Sequence, residues 1–419
     1  MNSAIQTLID RGFVKSSTDI EALSDLMDKE KVTMYAGVDP TGKSIHVGHM
    51  VPIFAMHHLQ EAGHNPIVLV GGGTAMIGDP SGKTEMRKML TPEQVAENSK
   101  SLWNQLGKVV DFSDRSADGF GKARMLNNAD WLTNLNYIDF LRNIGRHFSV
   151  NRMLTFESYK QRLERGLSFI EFNYQLLQSY DFLTLYRNEG CRLQVGGDDQ
   201  WGNIVAGIDL IRKTEGAECY GLTFNLITRA DGKKMGKSEK GAVFLDPTMF
   251  SPYDFYQYWR NVNDADVIRF MKLFTFLPLE EIADYEKPGV NINEAKERLA
   301  YEQTKIIHGE EEAEKAKTAA KAVFGSNGGA SKEQREGMPS KEITVAELEE
   351  GLPLLALYSS VGLCSSNSDA RRLVTGGGVS INGTKITDTK YVVKADLLDE
   401  HQELLLKAGK KKFFRLIVK

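Results

Sequence analysis

Apolar positions along the chain change their period several times, and the changes mark out the elements. Up to about residue 30 they recur at helical spacing, Ile5, Leu8 and Ile9 and then Ile20, Leu23, Leu26 and Met27, which predicts amphipathic helix. Val32 to Ala36 is β-branched and aromatic and predicts a strand. A turn at Asp39-Pro40-Thr41-Gly42 follows, then a helix entered at His46-Val47-Gly48-His49 and stopping at Gly63. Pro66 to Val70 is continuously apolar, as a strand buried on both faces should be. Residues 92–165 read as mostly helical, with Trp103, Trp131, Leu135, Ile138, Leu141 and Ile144 at helix-like spacing. Leu167 to Phe182 predicts another helix, Cys191 to Gly197 a strand, and Leu222 to Ile227 a further apolar run.

The second half changes character. Residues 247–324 read as helical, with Tyr253, Phe255, Tyr256 and Trp259 as core rather than base-stacking surface. Glycine, serine and charge without apolar period make 325–342 a linker. In the last segment, 343–419, Ser368 to Val374 predicts a helix ended by Gly376-Gly377-Gly378, and Val379 to Thr384 a short strand with an Asn-Gly turn. Strands alternating with helices over 1–246 predict an α/β domain with a parallel sheet and a helical insertion.

Composition narrows the class. With 419 residues, 41% hydrophobic and 26% charged, the chain is an ordinary globular protein of several domains. Its 3 cysteines, Cys191, Cys219 and Cys364, fit neither a disulfide framework nor a structural zinc site and point to a reducing cytoplasm. Asp10 and Arg11 precede any long apolar run, so the N-terminus does not read as a signal peptide, and no apolar run is long enough to span a membrane. The net charge of −4 is uneven: Leu352 to Lys419 carries 11 lysines and arginines against 6 acids, a basic tail on an acidic body. Such a tail suits a polyanionic partner.

The candidate chemistry sits where strands end. A strand feeding a helix through a glycine- and proline-bearing turn aims the first helical N–H groups above the sheet, where they attract anions. His46 and His49 stand three apart on that helix mouth, so they share a face. They can donate to a phosphate, ligate zinc, or serve only as surface or core residues; no H-E-x-x-H pattern supports zinc. Gly48 between them admits a close backbone approach. Ile77 to Thr84, IGDPSGKT, imitates a P-loop, but the position five before Gly82-Lys83 holds Ile77 instead of glycine, and Asp79 would oppose phosphate. A carboxylate there suits a substrate ammonium, while Lys83, Arg87 and Lys88 can meet a polyanion or merely solvate a face. Tyr174, Gln178 and Asp181 form one polar stripe on an otherwise apolar helix, either a hydrogen-bonded core network or the lining of a pocket for a polar small molecule. Asp199 and Gln200 follow Gly196-Gly197 at another strand end, placed for ribose hydroxyls and a polar substrate group. Lys233, Lys234 and Lys237 lie in a glycine-punctuated stretch that reads as a solvated loop or, beside HxGH, as a cationic lid for a polyphosphate.

With HVGH and KMGKS in order, and YAGVDPTGKSIHVGH, IGDPSGK, EFNYQLLQSYDF and QVGGDDQWGN around them, the chain resembles the class I aminoacyl-tRNA synthetases, and within them the bacterial-type tyrosyl branch. The resemblance covers essentially the whole length. Gly236 stands where the class often has serine, and Asp198 where many relatives have serine. The resemblance implies a Rossmann-like catalytic domain over 1–246, an α-helical anticodon-side domain over 247–324, the linker 325–342, and an S4-like RNA-binding domain over 343–419. It implies ATP as a substrate with its Mg2+, no tightly bound cofactor and no protein-held metal, L-tyrosine and tRNA(Tyr) as partners, and a homodimer with Phe169 at the interface. By resemblance, Thr41, His46, His49, Lys234 and Lys237 act on the phosphates, and Gly37, Asp39, Gly48, Gly197 and Asp199 cradle ATP. Asp79, Tyr174, Gln178 and Gln200 hold the substrate's polar end, and Tyr35 and Asp181 bond the phenol. Arg371, Arg372, Lys385, Lys410, Lys411 and Lys412 contact RNA phosphates.

Three rivals remain at this level. A tryptophanyl enzyme shares the core but gives no reason for a Tyr35 and Asp181 pair or an S4-like tail. A non-catalytic RNA-binding paralogue would not need intact HVGH and KMGKS. A small-molecule adenylyltransferase shares HxGH and leaves the tail unexplained.

Overall fold

The computed structural model describes residues 1–81, 90–113, 115–164, 166–228, 235–238, 241–325, 335–409 and 412–419. The chain divides into two compact units, one comprising Met1–Gly236, Phe244–Asp246 and Asn263–Val290, the other Lys237–Val243, Pro247–Val262 and Asn291–Lys419.

The first unit is built on a six-stranded sheet: β1 (Val14–Ser17), β2 (Thr33–Val38), β3 (Asn65–Val70), β4 (Arg124–Asn127), β5 (Cys191–Gly197) and β6 (Tyr220–Phe224), in the spatial order β1-β6-β5-β2-β3-β4. All neighbours run parallel except β1, which pairs antiparallel with β6. β2 is central: the chain steps outward through β3 and β4 on one side and β5 and β6 on the other. Such a reversal opens a crevice at the carboxyl ends of the strands, where ligands bind in open α/β sheets.

Two elements differ from the sequence reading. Within residues 1–30, helices Ser3–Asp10 and Ile20–Lys29 are separated by strand β1, and within 92–165 the sheet gains β4. Neither VKSS nor RMLN carries a strand's side-chain signature. Both are strands because a neighbour offers a ladder, β6 pairing Val14 with Phe224 and β3 pairing Leu69 with Leu126.

Helices cover the sheet for identifiable reasons. Met50–Glu61 follows the HVGH turn and buries Val51, Ile53, Phe54 and Leu59; Pro52 is its third residue, where the missing N–H breaks no helical bond. The long helix Phe169–Glu189 starts at a reciprocal cap between Ser168 and Glu171 and stops at Gly190, whose φ of +63° suits glycine. Arg162, itself buried, binds Glu171 through two hydrogen bonds at 3.1 Å and fixes that helix start.

In the second unit, helices Pro252–Arg260, Ile292–His308 and Glu310–Gly325 pack together, with Tyr253, Phe255, Tyr256 and Trp259 buried among them, as core rather than stacking surface. The C-terminal part is a five-stranded sheet of Ser340–Ile343, Val379–Ile381, Thr384–Lys385, Glu403–Ala408 and Lys412–Val418. Asn382 and Gly383 make its tight turn with φ of +46° and +82°, the two positive values an Asn-Gly hairpin uses. The folded part begins earlier than linker composition suggests. Ser340–Ile343 is a strand of this sheet, and buried Arg335 pairs with Asp399 and Glu403 while Arg415 pairs with Glu403.

Candidate active site

The turn His46–His49 is held by its own histidines. Nδ1 of His46 accepts the backbone N–H of Gly48 at 3.1 Å, and Nδ1 of His49 accepts the backbone N–H of His46 at 3.4 Å. The rings stack with centroids 3.9 Å apart. With both Nδ1 atoms accepting, each neutral imidazole carries its proton on Nε2, a donor suited to an anion. Gly48 has a structural reason beyond ligand approach: a Cβ there would lie 2.9 Å from Cε1 of His46 and 3.1 Å from the carbonyl oxygen of Met235.

Beside this turn, the ends of strands β2, β3, β4 and β5 gather a hydrogen-bonded lining. Tyr174 donates to Oδ2 of Asp39 at 3.0 Å, and Thr74 donates to Oδ1 of Asp39 at 2.8 Å. Asn128 donates to Thr74 at 3.0 Å and to Oδ2 of Asp181 at 2.9 Å, while Nε1 of Trp131 donates to Oδ1 of Asp181 at 2.7 Å. A second branch joins Gln200 to Asp79 at 2.8 Å, Gln178 to Gln200 at 3.2 Å, and Asn203 to Gln178 at 3.0 Å. Tyr174, Gln178 and Asp181 thus use their shared helix face as the sequence stripe requires. The three glycines 71–73 are there for side chains: a Cβ would strike Asp39 and Thr74 at Gly71, Asn127 at Gly72 and Leu132 at Gly73.

Two polar groups in this lining lack a hydrogen-bond partner among the described residues. The hydroxyl of Tyr35, on β2, is buried without a hydrogen bond among the described residues, and so is Oε1 of Gln194, its register partner on β5. A buried hydroxyl left unpaired is costly unless something completes it.

The electrostatics are set by burial. Asp181 is pushed up to about 7, first by burial and also by Asp39, against the downward pull of Asn128 and Trp131. Tyr35 is raised well above the usual phenol range by burial and by Asp181, and Tyr174 by burial, Asp39 and Asp79. Both phenols therefore stay protonated at neutral pH: Tyr174 donates to Asp39, and Tyr35 keeps a proton available to donate.

Asp199 bends its Oδ1 over Gly197, to 2.6 Å from where a Cβ would stand. Asp39 also accepts, through its backbone carbonyl, the N–H of exposed Thr41 at 2.8 Å, and Gly37 is exposed. Lys83, Arg87, Lys88, Lys233, Lys234, Lys410 and Lys411 lie outside the described residues, as does the side chain of Lys237. Arg371 and Arg372 are exposed on helix Asn367–Thr375, and Lys385 crosses Gly377 at its end, with Nζ 2.6 Å from a Cβ built there. Half-buried Lys412 acts electrostatically on Asp369 of the same helix, as Arg372 does. Sequence reading missed Thr74, Asn128, Asn203 and Gln194 and took Trp131 for packing; the only available signal was polarity just past a strand or at a helix start. A separate cavity of about 120 Å³, lined by Phe148, Met153, Phe156, Gln175 and Leu210, holds none of the sequence candidates.

The mostly parallel sheet reversing at β2 brings the histidine turn and the polar lining together at its strand ends, and comparison with known proteins gives the family. The family "tRNA synthetases class I (W and Y)" matches residues 27–325, and "Tyrosine--tRNA ligase SYY-like C-terminal domain" matches residues 331–416. The chain belongs to this class I tRNA synthetase family, whose members are ATP-using ligases. It is 56% identical over 417 residues to a tyrosine–tRNA ligase of Treponema denticola, with 100% of both chains covered. It is 52% identical to one of Acetivibrio thermocellus, with 99% of both covered. Among solved structures, a C-terminally truncated mitochondrial tyrosyl-tRNA synthetase of Aspergillus nidulans is similar at a TM-score of 0.67 and 31% identity, covering 76% of this chain and 93% of that one.

Proposed function

We infer that the chain is a tyrosine–tRNA ligase: it activates L-tyrosine with ATP to tyrosyl-adenylate and passes the tyrosyl group to the 3′ end of tRNA(Tyr). The observation that carries tyrosine, against tryptophan, is the buried hydroxyl of Tyr35, without a partner among the described residues, in the same pocket as the Asp181 carboxylate. A donor and an acceptor together complete a phenolic hydroxyl; an indole has no oxygen to offer them.

The substrate carboxylate is already a nucleophile, so no general base is needed, and catalysis rests on positioning and charge neutralisation. It attacks the α-phosphorus and pyrophosphate leaves. Nε2–H of His46 and His49 would donate to the triphosphate, with Thr41 beside them, and Lys234 and Lys237 would neutralise the departing pyrophosphate. Asp79, Gln178 and Tyr174 would take the substrate ammonium, with Gln200 behind them. Asp199 would hold the ribose, and Gly37, Asp39, Gly48 and Gly197 would flank the nucleotide. Mg2+ would arrive with ATP, neutralising phosphate charge. Arg371, Arg372, Lys385, Lys410, Lys411 and Lys412 would meet RNA phosphates, a sequence-blind and salt-sensitive contribution.

A homodimer is supported by exposed apolar residues in and beside the helical insertion, Tyr137, Ile138, Val150, Leu163 and Phe169, the last 71% exposed. Three buried free thiols favour the cytoplasm, and no helix among the described residues is long and apolar enough to cross a membrane. The test of function is amino-acid-dependent pyrophosphate exchange. Tyrosine alone should support it; exchange with tryptophan, or none with any amino acid, would overturn the reading.

A further inference from the structure

Gly236, in the lysine-bearing segment, touches the histidine turn although 187 or more residues separate them in sequence. It is buried, with a φ of +90°. A Cβ built on it lies 2.8 Å from Nδ1 of His46, 3.4 Å from its Cε1 and 3.1 Å from the backbone nitrogen of Gly48. Nδ1 and that nitrogen are the two ends of the hydrogen bond that orients His46. From the other side, the carbonyl oxygen of Met235 lies where a Cβ on Gly48 would fall, at 3.1 Å. Met235 is anchored, 4% exposed, with its N–H donating to the carbonyl oxygen of Ile227 at 3.0 Å. Two glycines thus let two distant backbone segments close on one imidazole.

We propose that Gly236 is a positioning residue for the histidine pair, its bare backbone holding His46 with Nδ1 accepting from Gly48 and Nε2–H turned to use. Any side chain at 236 meets two obstacles together. The positive φ disfavours it, and the Cβ reaches Nδ1 well inside contact distance, so either the imidazole leaves the Gly48 N–H or the 235–236 backbone withdraws. A ring freed from that bond can populate the Nδ1–H tautomer, which has no Nε2 proton to give a phosphate. In this chain both constraints fall on the central glycine of KMGKS. The proposal rests on the reading that the histidines serve the triphosphate.

The test uses the full-length enzyme with 15N-labelled histidine, His46 being assigned from a His46→Gln control. Long-range 15N–1H spectra at mildly alkaline pH read the tautomer directly. The wild type should show His46 as the Nε2–H form; an Nδ1–H form would overturn the proposal without any further variant. Gly236→Ala should mix the tautomers and slow single-turnover adenylate formation about tenfold or more, with tyrosine affinity unchanged, which also reports an intact fold. Gly241→Ala is the control: its φ is +107° but a Cβ there meets nothing within 4 Å among the described residues, so the His46 spectrum should not change. An unchanged His46 spectrum in Gly236→Ala, or an equal change in both variants, would overturn the proposal. An altered spectrum with adenylate formed at the wild-type rate would leave Gly236's hold on His46 standing and overturn the assignment of the histidines to the triphosphate.

Discussion

The hydroxyl of Tyr174 donates to Oδ2 of Asp39 at 3.0 Å, joining the second turn of helix Phe169–Glu189 to the loop that leaves β2. Tyr174→Phe removes that donor from a half-buried carboxylate at a cost on the order of 1–3 kcal/mol. Tyrosine affinity should fall about fivefold or more, with the fold retained, in equilibrium dialysis beside a thermal melt. Unchanged affinity would contradict a role for this bond in shaping the pocket.

Trp131 gives Asp181 its shortest hydrogen bond, 2.7 Å from Nε1. In Trp131→Phe the charged carboxylate loses a donor, so its pKa should move further above the value of about 7 it has in the native protein. The rise of tyrosine affinity with pH, centred at about 7 in the wild type, should then shift to more alkaline pH. A pH profile superimposable on the wild type would contradict the assignment of Trp131.

The raised Asp181 also sets a sign for stability against pH. Its folded-state value of about 7 lies above its ordinary 3.8, so the protonated side chain favours folding. That contribution is complete below about pH 4 and is lost as pH rises through about 7. Asp181→Asn should therefore unfold at higher denaturant than the wild type at pH 8, with the difference shrinking toward pH 5, while tyrosine binding is lost. A wild type more stable than the variant at pH 8 would mean that the carboxylate is better solvated than its burial implies.

Lys237→Ala should lower the rate of adenylate formation far more than it weakens tyrosine binding, because a lysine acting on the leaving pyrophosphate contributes only in the transition state. Stopped-flow adenylate formation beside equilibrium tyrosine binding separates the two. Equal losses in both would count against that role.

Arg371 and Arg372 are exposed on one helix of the C-terminal sheet domain. Replacing each by alanine should lower the slope of log affinity for tRNA against log salt by about 1 and leave tyrosine-dependent pyrophosphate exchange untouched. An unchanged slope would place the RNA elsewhere.

Much of the centre was legible because its chemistry is local in sequence. His46, Gly48 and His49 fall within one turn, and Tyr174, Gln178 and Asp181 on one helix face, so periodicity alone groups them. Asn128 and Trp131 follow β4 and Thr74 follows β3, and they meet Asp181 or Asp39 only through the sheet order β2-β3-β4. Since β4 has no strand signature, the loop after it could not be placed beside the pocket. Side chains of Asp39, Asn127 and Leu132 occupy the space that Gly71 to Gly73 leave, a fit that no local pattern announces. The linker composition of 325–342 hid a strand because Ser340–Ile343 is defined by its pairing with Lys412–Val418.

The central claim is that a phenol pocket and a histidine-capped phosphate site serve one reaction, and a crystal structure with a non-hydrolysable tyrosyl-adenylate analogue tests it most directly. The phenolic oxygen should lie within about 2.6–3.2 Å of the Tyr35 hydroxyl and the Asp181 carboxylate, with the phosphate-mimicking group reached by Nε2 of His46 or His49. An analogue bound with its ring away from Tyr35 and Asp181, or with its phosphate mimic out of reach of both histidines, would contradict the account.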